Sequence, residues 1–227
     1  MRPLLLLLPL AACAAAPGDS GAEDTGTAVT SAGPEVWVVL DWADTGEPAL
    51  DSGWVVSFSV ELLPCQDTVA GLMPTAYAGH GLSEDEALRQ LRAPRAESLL
   101  DRPQAQFGHL MPAAGAYCEL FYLISFTTEV YDNRGLPEGI DMLDEEMSLY
   151  LQQGRQVLSA SSGYGVKRTI VDADGEAAPL VITADGESAL LRLRRDASVI
   201  GADLSGHQDA TALLAALAES TAVVREH

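Results

Sequence analysis

The chain has 227 residues, of which 33 are acidic and 13 are Lys or Arg, for a formal charge of -20 at pH 7. A surface this acidic repels a phosphate backbone, which excludes nucleic acid as a partner. The acids are spread along the chain and not gathered in one tail, so solubility and cation attraction account for them.

The N-terminus carries one positive charge at Arg2, an apolar run from Leu4 to Leu10, and the small residues Ala11 and Ala12 before Cys13. That is the layout of a secretory signal, and Pro3 to Ala16 is too short for a membrane span, which needs about 20 apolar residues. Leu10-Ala11-Ala12-Cys13 resembles the lipobox of bacterial lipoproteins. The resemblance implies that residues 1–12 are a signal peptide removed on export and that Cys13 becomes the diacylated N-terminus. The other reading is an ordinary signal with a chance cysteine. Ala14, where Asp would hold such a protein at the inner membrane, implies the outer membrane, with the domain facing the periplasm. Each acyl chain contributes about 0.8 kcal/mol per buried methylene, so several chains anchor stably. From Ala14 to Pro34 almost nothing can be buried, so residues 13–34 read as a lipidated, disordered tether. Gly18-Asp19-Ser20-Gly21 looks like a trypsin-type nucleophile signature, but a tether offers no rigid shell to orient a nucleophile.

Residues 35–227 are long enough for one domain with a sizeable core. Val36 to Leu40 suits a buried strand. From Trp54 to Leu62 the alternation puts Trp54, Val56, Phe58, Val60 and Leu62 on one face of a second strand. Residues 66–112 break the β pattern, with a capping box at Ser83-Glu84-Asp85-Glu86 opening a short helix that runs to about Arg92 before Pro94 stops it. Tyr117 to Val130 alternates again through Leu120, Tyr122, Ile124 and Phe126. Met147 to Leu151 fits a helix end or a strand, and the Gly154 that follows favours a strand. Gly165 to Val171, Pro179 to Ala184 and Ser188 to Arg195 are strands punctuated by Asp-Gly at 174-175 and 185-186, which suggests successive hairpins. Asp209 to Ala218 forms a C-terminal helix. The expected fold is mainly β, an antiparallel β-sandwich with a short helix in a long loop and a C-terminal helix.

With Cys13 lipidated, Cys65 and Cys118 remain. In an oxidising compartment two leftover cysteines most often pair. A thiolate metal pair is the rival reading, disfavoured because neither lies in a C-x-x-C motif. The motifs of the common hydrolases and nucleotide enzymes, G-x-S-x-G, H-E-x-x-H, S-x-x-K and the glycine-rich phosphate loops, are absent. Four histidines, His80, His109, His207 and His227, stand beside Met73, Met111, Met142 and Met147. Imidazole with thioether suits copper, and imidazole with carboxylate suits zinc or copper(II). The plainer reading is surface histidines that hold nothing, and a terminal His227 has no framework around it. Asp172-Ala173-Asp174-Gly175 looks like the start of a calcium loop, but Thr183 stands where the twelfth-position Glu should be, so a hairpin turn is the better reading.

Taken in order, "GWVVSFSVELLPC", "HLMPAAGAYCELFYLISF", "MSLYLQQG" and "LLRLRRDASVIGADLSGHQDATALLAALAES" resemble the MbnP-like periplasmic proteins over most of residues 35–222. These are β-sandwich partners of di-haem peroxidase-like proteins associated with copper handling. The resemblance implies copper held by histidines, which maps to His80, His109 and His207, and an envelope protein partner of the di-haem peroxidase type. Trp37 and Trp54 fall on strands near the expected site, with core packing as their simpler role. The leading expectation is a non-enzymatic, lipid-anchored periplasmic protein that binds or presents a transition metal, copper first. A different class of reading is an envelope interaction or structural lipoprotein with no metal site. An enzyme built on Asp141, Asp144 and Glu145 has no spacing argument behind it.

Overall fold

A computed structural model describes residues 34–46, 48–65, 84–102, 104–127, 141–142, 146–201, 203–207 and 209–226. Cys13, the tether up to residue 33, His80, Met73, Asp144, Glu145 and His227 lie outside the described residues.

The chain is mainly β. In order it forms β1 (Val36–Trp42), β2 (Ser52–Pro64), α1 (Glu84–Leu88), β3 (Gln90–Ser98), β4 (Ala105–Leu110) and β5 (Gly115–Ile124). There follow β6 (Leu149–Gln153), β7 (Gln156–Ala160), β8 (Tyr164–Val171), β9 (Leu180–Ile182), β10 (Ala189–Arg195), α2 (Ala210–Glu219) and β11 (Ala222–Glu226). The strands join one sheet in the order β4-β1-β10-β11-β8-β5-β2-β6-β7, with β3 added to β2 and β9 to β5. The sheet curls until β3 reaches β4: the Met111 N–H donates to the Leu88 carbonyl at 2.9 Å, and Arg95 Nη1 donates to the Gln106 carbonyl at 3.1 Å. Among the described residues no helix is long and apolar enough to cross a membrane.

The sheet is mixed, which corrects the antiparallel-only expectation. β1 runs parallel to β10 and β11 runs parallel to β8, while the other pairings are antiparallel. Parallel neighbours need a long crossover, and β1 with β10 are separated by most of the domain. Nor do the Asp-Gly turns make successive hairpins. The turn at Asp174-Gly175 closes only an isolated bridge between Val171 and Ala177, whereas β9 pairs with β5 and β10 with β1 and β11. A turn signal is local and cannot say which distant edge the next strand will find. Asp172 Oδ1 accepts the N–H groups of Asp174 and Glu176, as the turn reading of this segment requires.

Residues 90–110 hold two strands, which corrects the break in the β pattern expected over 66–112. The helix ends at Leu88 and Pro94 lies inside β3. Proline is tolerated there because β3 bulges: Ser57 pairs with Arg95 and Ser59 with Arg92, so Ala93 and Pro94 together oppose Phe58. The same irregularity splits the face expected of β2. Val55 joins the main core before it and Val60 and Leu62 join after it, while Trp54 and Val56 pack on the other side with Met142 and Met147. A one-residue slip exchanges the two faces of a strand.

The main core gathers the inward residues of both arms of the curl. Val36, Val38 and Leu40 of β1, Leu120, Tyr122 and Ile124 of β5, and Leu191 and Leu193 of β10 all belong to it. α2 adds Leu213, Leu214, Leu217 and Ala218, and its first turn is held by Asp209, whose side chain accepts the Thr211 N–H at 2.8 Å. Cys65 and Cys118 form a disulfide with a Cα–Cα distance of 4.7 Å, beside the place where the end of β2 meets β5. Closing a loop of 53 residues stabilises the fold by roughly 4 kcal/mol in the chain-entropy treatment.

Candidate functional site

β1 presents alternate residues to the two sides of the sheet, with Val36, Val38, Leu40 and Trp42 buried and Trp37 half-buried on the outer side. Trp37 is therefore not a core tryptophan. Its partner across the antiparallel β1–β4 ladder is His109, which is exposed. The two rings meet with centroids 5.0 Å apart at an interplanar angle of 49°. A tilted aromatic pair of this kind contributes about 0.2–1 kcal/mol across a ladder. Met111, two residues beyond His109, is 36% exposed and is one of three exposed large hydrophobics among the described residues.

His109 faces outward because β4 contains a bulge. Ala105 and Phe107 are buried and Gln106 is exposed, so unbroken alternation would send His109 inward. The register instead runs Trp37 to His109, Val38 to Gly108, then Val39 to Gln106, leaving Phe107 as the extra residue. Past that point the faces exchange, with His109 exposed and Leu110 buried. Gly108 carries φ +154°, which a side chain would disfavour.

The other proposed ligands are distributed differently. His207 ends a 3-10 turn over Leu204–Gly206 that is tied to the β6–β7 hairpin: Gln153 Oε1 accepts the Leu204 N–H at 2.8 Å and Gln156 Nε2 donates to the Leu204 carbonyl at 2.6 Å. His109 stands across from Trp37, at the level of Leu190 near the start of β10, whereas the turn bearing His207 follows the far end of β10. Met142 and Met147 are spent on packing against Trp54 and Val56. No group of three or more His, Cys, Asp or Glu that could hold a metal forms among the described residues. The disulfide removes Cys65 and Cys118 as thiolate ligands.

A second constellation corresponds to no sequence motif. Arg195, the last residue of β10, is fully buried. Its Nη2 meets Glu97 Oε2 of β3 at 2.5 Å and its Nη1 donates to Glu97 Oε1 at 2.8 Å. Nη1 also reaches Ser57 Oγ of β2 at 3.1 Å and the Tyr122 hydroxyl of β5 at 3.4 Å. Ser57 in turn donates to Glu97 Oε1 at 2.5 Å and shares a 2.6 Å bond with Tyr122. The guanidinium carbon lies 4.0 Å from the ring centre of Trp42 on β1, close enough for a cation–π contact. Burial alone would pull the Arg195 pKa down, but the Glu97 carboxylate and the bonds to Glu97 and Tyr122 outweigh it and hold the guanidinium more firmly protonated than usual. Burial raises the Tyr122 pKa, with the Arg195 charge opposing, so the phenol stays neutral. One side chain thus ties together strands from both arms of the curl. The signal was present in the sequence: Leu191, Leu193 and Arg195 alternate, and all three point inward.

Comparison with protein-family models, curated proteins and solved structures found no match.

Proposed function

We propose that this is a lipid-anchored bacterial envelope protein, non-enzymatic, whose β domain binds or presents a soft transition metal, copper first, on the outer face of β1 and β4. Cys13 carries the lipid, residues 14–34 act as the spacer, and the domain works in the periplasm with a protein partner of the di-haem peroxidase type. The curl is read as a sandwich in which β4-β1-β10-β11 faces β8-β5-β2. Arg195, reaching from β10 to Glu97, Ser57 and Tyr122, supports that arrangement.

The exposed His109 ring against Trp37 is the observation that carries the metal reading. An imidazole, an aromatic face and the exposed thioether of Met111 two residues along the chain are ligand types that suit a soft ion of low coordination number. They do not suit a closed tetrahedral centre, and no such ligand group forms among the described residues. By the resemblance, His80 and His207 are the other imidazoles proposed for the site.

Anaerobic titration of the full chain with copper(I) against a competing chelator tests this, with Trp fluorescence as a second readout. One ion per chain is expected, quenching the emission, with affinity lost by tenfold or more in His109→Ala. Equal uptake by wild type and His109→Ala defeats the site. No uptake by either leaves the envelope interaction protein without a metal as the better account.

A further inference from the structure

The bulge that turns His109 outward has a matching partner on the neighbouring strand. A Cβ built on Gly108 would stand 2.6 Å from Leu91 Cδ2, 3.3 Å from Cδ1 and 3.5 Å from Cγ. The three nearest atoms all belong to one side chain, that of Leu91 on β3, so the missing Cβ is replaced by the branched end of a leucine. We propose that Leu91, seated in the hollow left by Gly108, is a positioning residue that holds the β4 bulge in register and so keeps His109 against Trp37. The proposal rests on the metal reading only for its consequence, because the geometry it claims exists without any ion.

Three observations converge on it. The register shift is confined to the step between Val38 and Val39, beside Gly108. The glycine adopts a backbone angle that few side chains tolerate. Leu91 is fixed from behind by its pairing with Val60 of β2 and packs against the main core, so it is a stable wedge. Without the wedge, β4 can return toward the regular alternation in which His109 and Leu110 exchange sides. A bulge that sets the direction of a functional side chain is a recurrent device.

The test uses the full chain and reads His109 directly. Ring-current shifts of the His109 imidazole protons, caused by the Trp37 indole, are measured by NMR in the metal-free protein, and silver(I), a soft ion free of redox chemistry, serves as the binding probe. Leu91→Ala is expected to move the His109 signals toward those of a free imidazole and to weaken silver(I) binding at least threefold. Leu91→Met, which refills the hollow, restores both. Gly108→Ala produces the same loss, and adding Leu91→Ala to it recovers part of the His109 shift because every atom that the new Cβ strikes is gone. Unchanged His109 shifts in a folded Leu91→Ala protein overturn the positioning role, and if that variant does not fold, unchanged shifts in Gly108→Ala do so. If the shifts respond as expected while wild type takes up no silver(I), the metal reading fails and the positioning role stands.

Discussion

Two polar clusters lie on opposite sides of the same sheet, and they are built on different principles. Inside the curl, Arg195 is enclosed by Glu97, Ser57, Tyr122 and Trp42, contributed by four other strands. Outside, Trp37 and His109 come from two adjacent strands and one of the pair is exposed. The inner cluster depends on the whole fold and is costly to disturb. Most of the fold can do without the outer pair, and that freedom is what a binding surface needs.

The largest expected effect is at the inner cluster. Removing one partner by Glu97→Gln or Arg195→Met leaves a buried charge or its acceptors uncompensated and should destabilise the protein by about 3–5 kcal/mol in urea denaturation. The double variant Arg195→Met/Glu97→Leu should recover most of that loss, since an apolar pair of similar volume needs no desolvation to be offset. Equal losses in the double and single variants would mean that packing, and not charge, sets the cost.

A smaller effect is expected outside. A double-mutant cycle on Trp37→Ala and His109→Ala should give a coupling of about 0.2–1 kcal/mol, each variant staying close to wild-type stability. A coupling much above that range would mark the pair as part of the structural frame and would blunt the contrast with Arg195.

The smallest effect concerns Glu226 on the same outer face. Arg192 bonds it twice, at 2.6 and 2.8 Å, and these bonds hold the Glu226 carboxyl below the ordinary glutamate value. A depressed folded pKa contributes stability that is present above the unfolded value near 4.5 and is lost as the pH falls through the folded one. Glu226→Gln should therefore flatten the stability profile below about pH 4.5, by a few tenths of a kcal/mol for so exposed a pair. Identical profiles from pH 6 to 3 would remove any role for this ion pair.

Much of the strand content could be read locally. The apolar run Val36 to Leu40, the alternation of Leu120, Tyr122 and Ile124, and the turn-bounded stretch Gly165 to Val171 located β1, β5 and β8, because apolar runs, a period of two and flanking turns are all signals carried by a strand's own residues. The run from Ala210 to Ala218 announced α2 in the same way, and two leftover cysteines announced the disulfide. β3 stayed hidden because Arg92, Pro94 and Arg95 resemble loop residues until β2 is there to pair with them. At the candidate site, His109 was picked out by residue type alone, and the core role expected of Trp37 was reversed. Nothing in Phe107-Gly108-His109 reveals which way the imidazole points, since the answer depends on where the register slips against β1.

By itself, then, the sequence determined several of the extended segments, β1, β2, β5 and β8 among them, and the helix at the C-terminus, properties governed by neighbours within a few residues, while the count of cysteines left only one pair to join. The tertiary structure alone decided the parallel pairings of β1 with β10 and β11 with β8, the two bulges that exchange the faces of β2 and β4, and the enclosure of Arg195. Each of these requires strands far apart in sequence to come edge to edge. A residue can then be turned toward the core or toward solvent by a partner that its own segment does not encode.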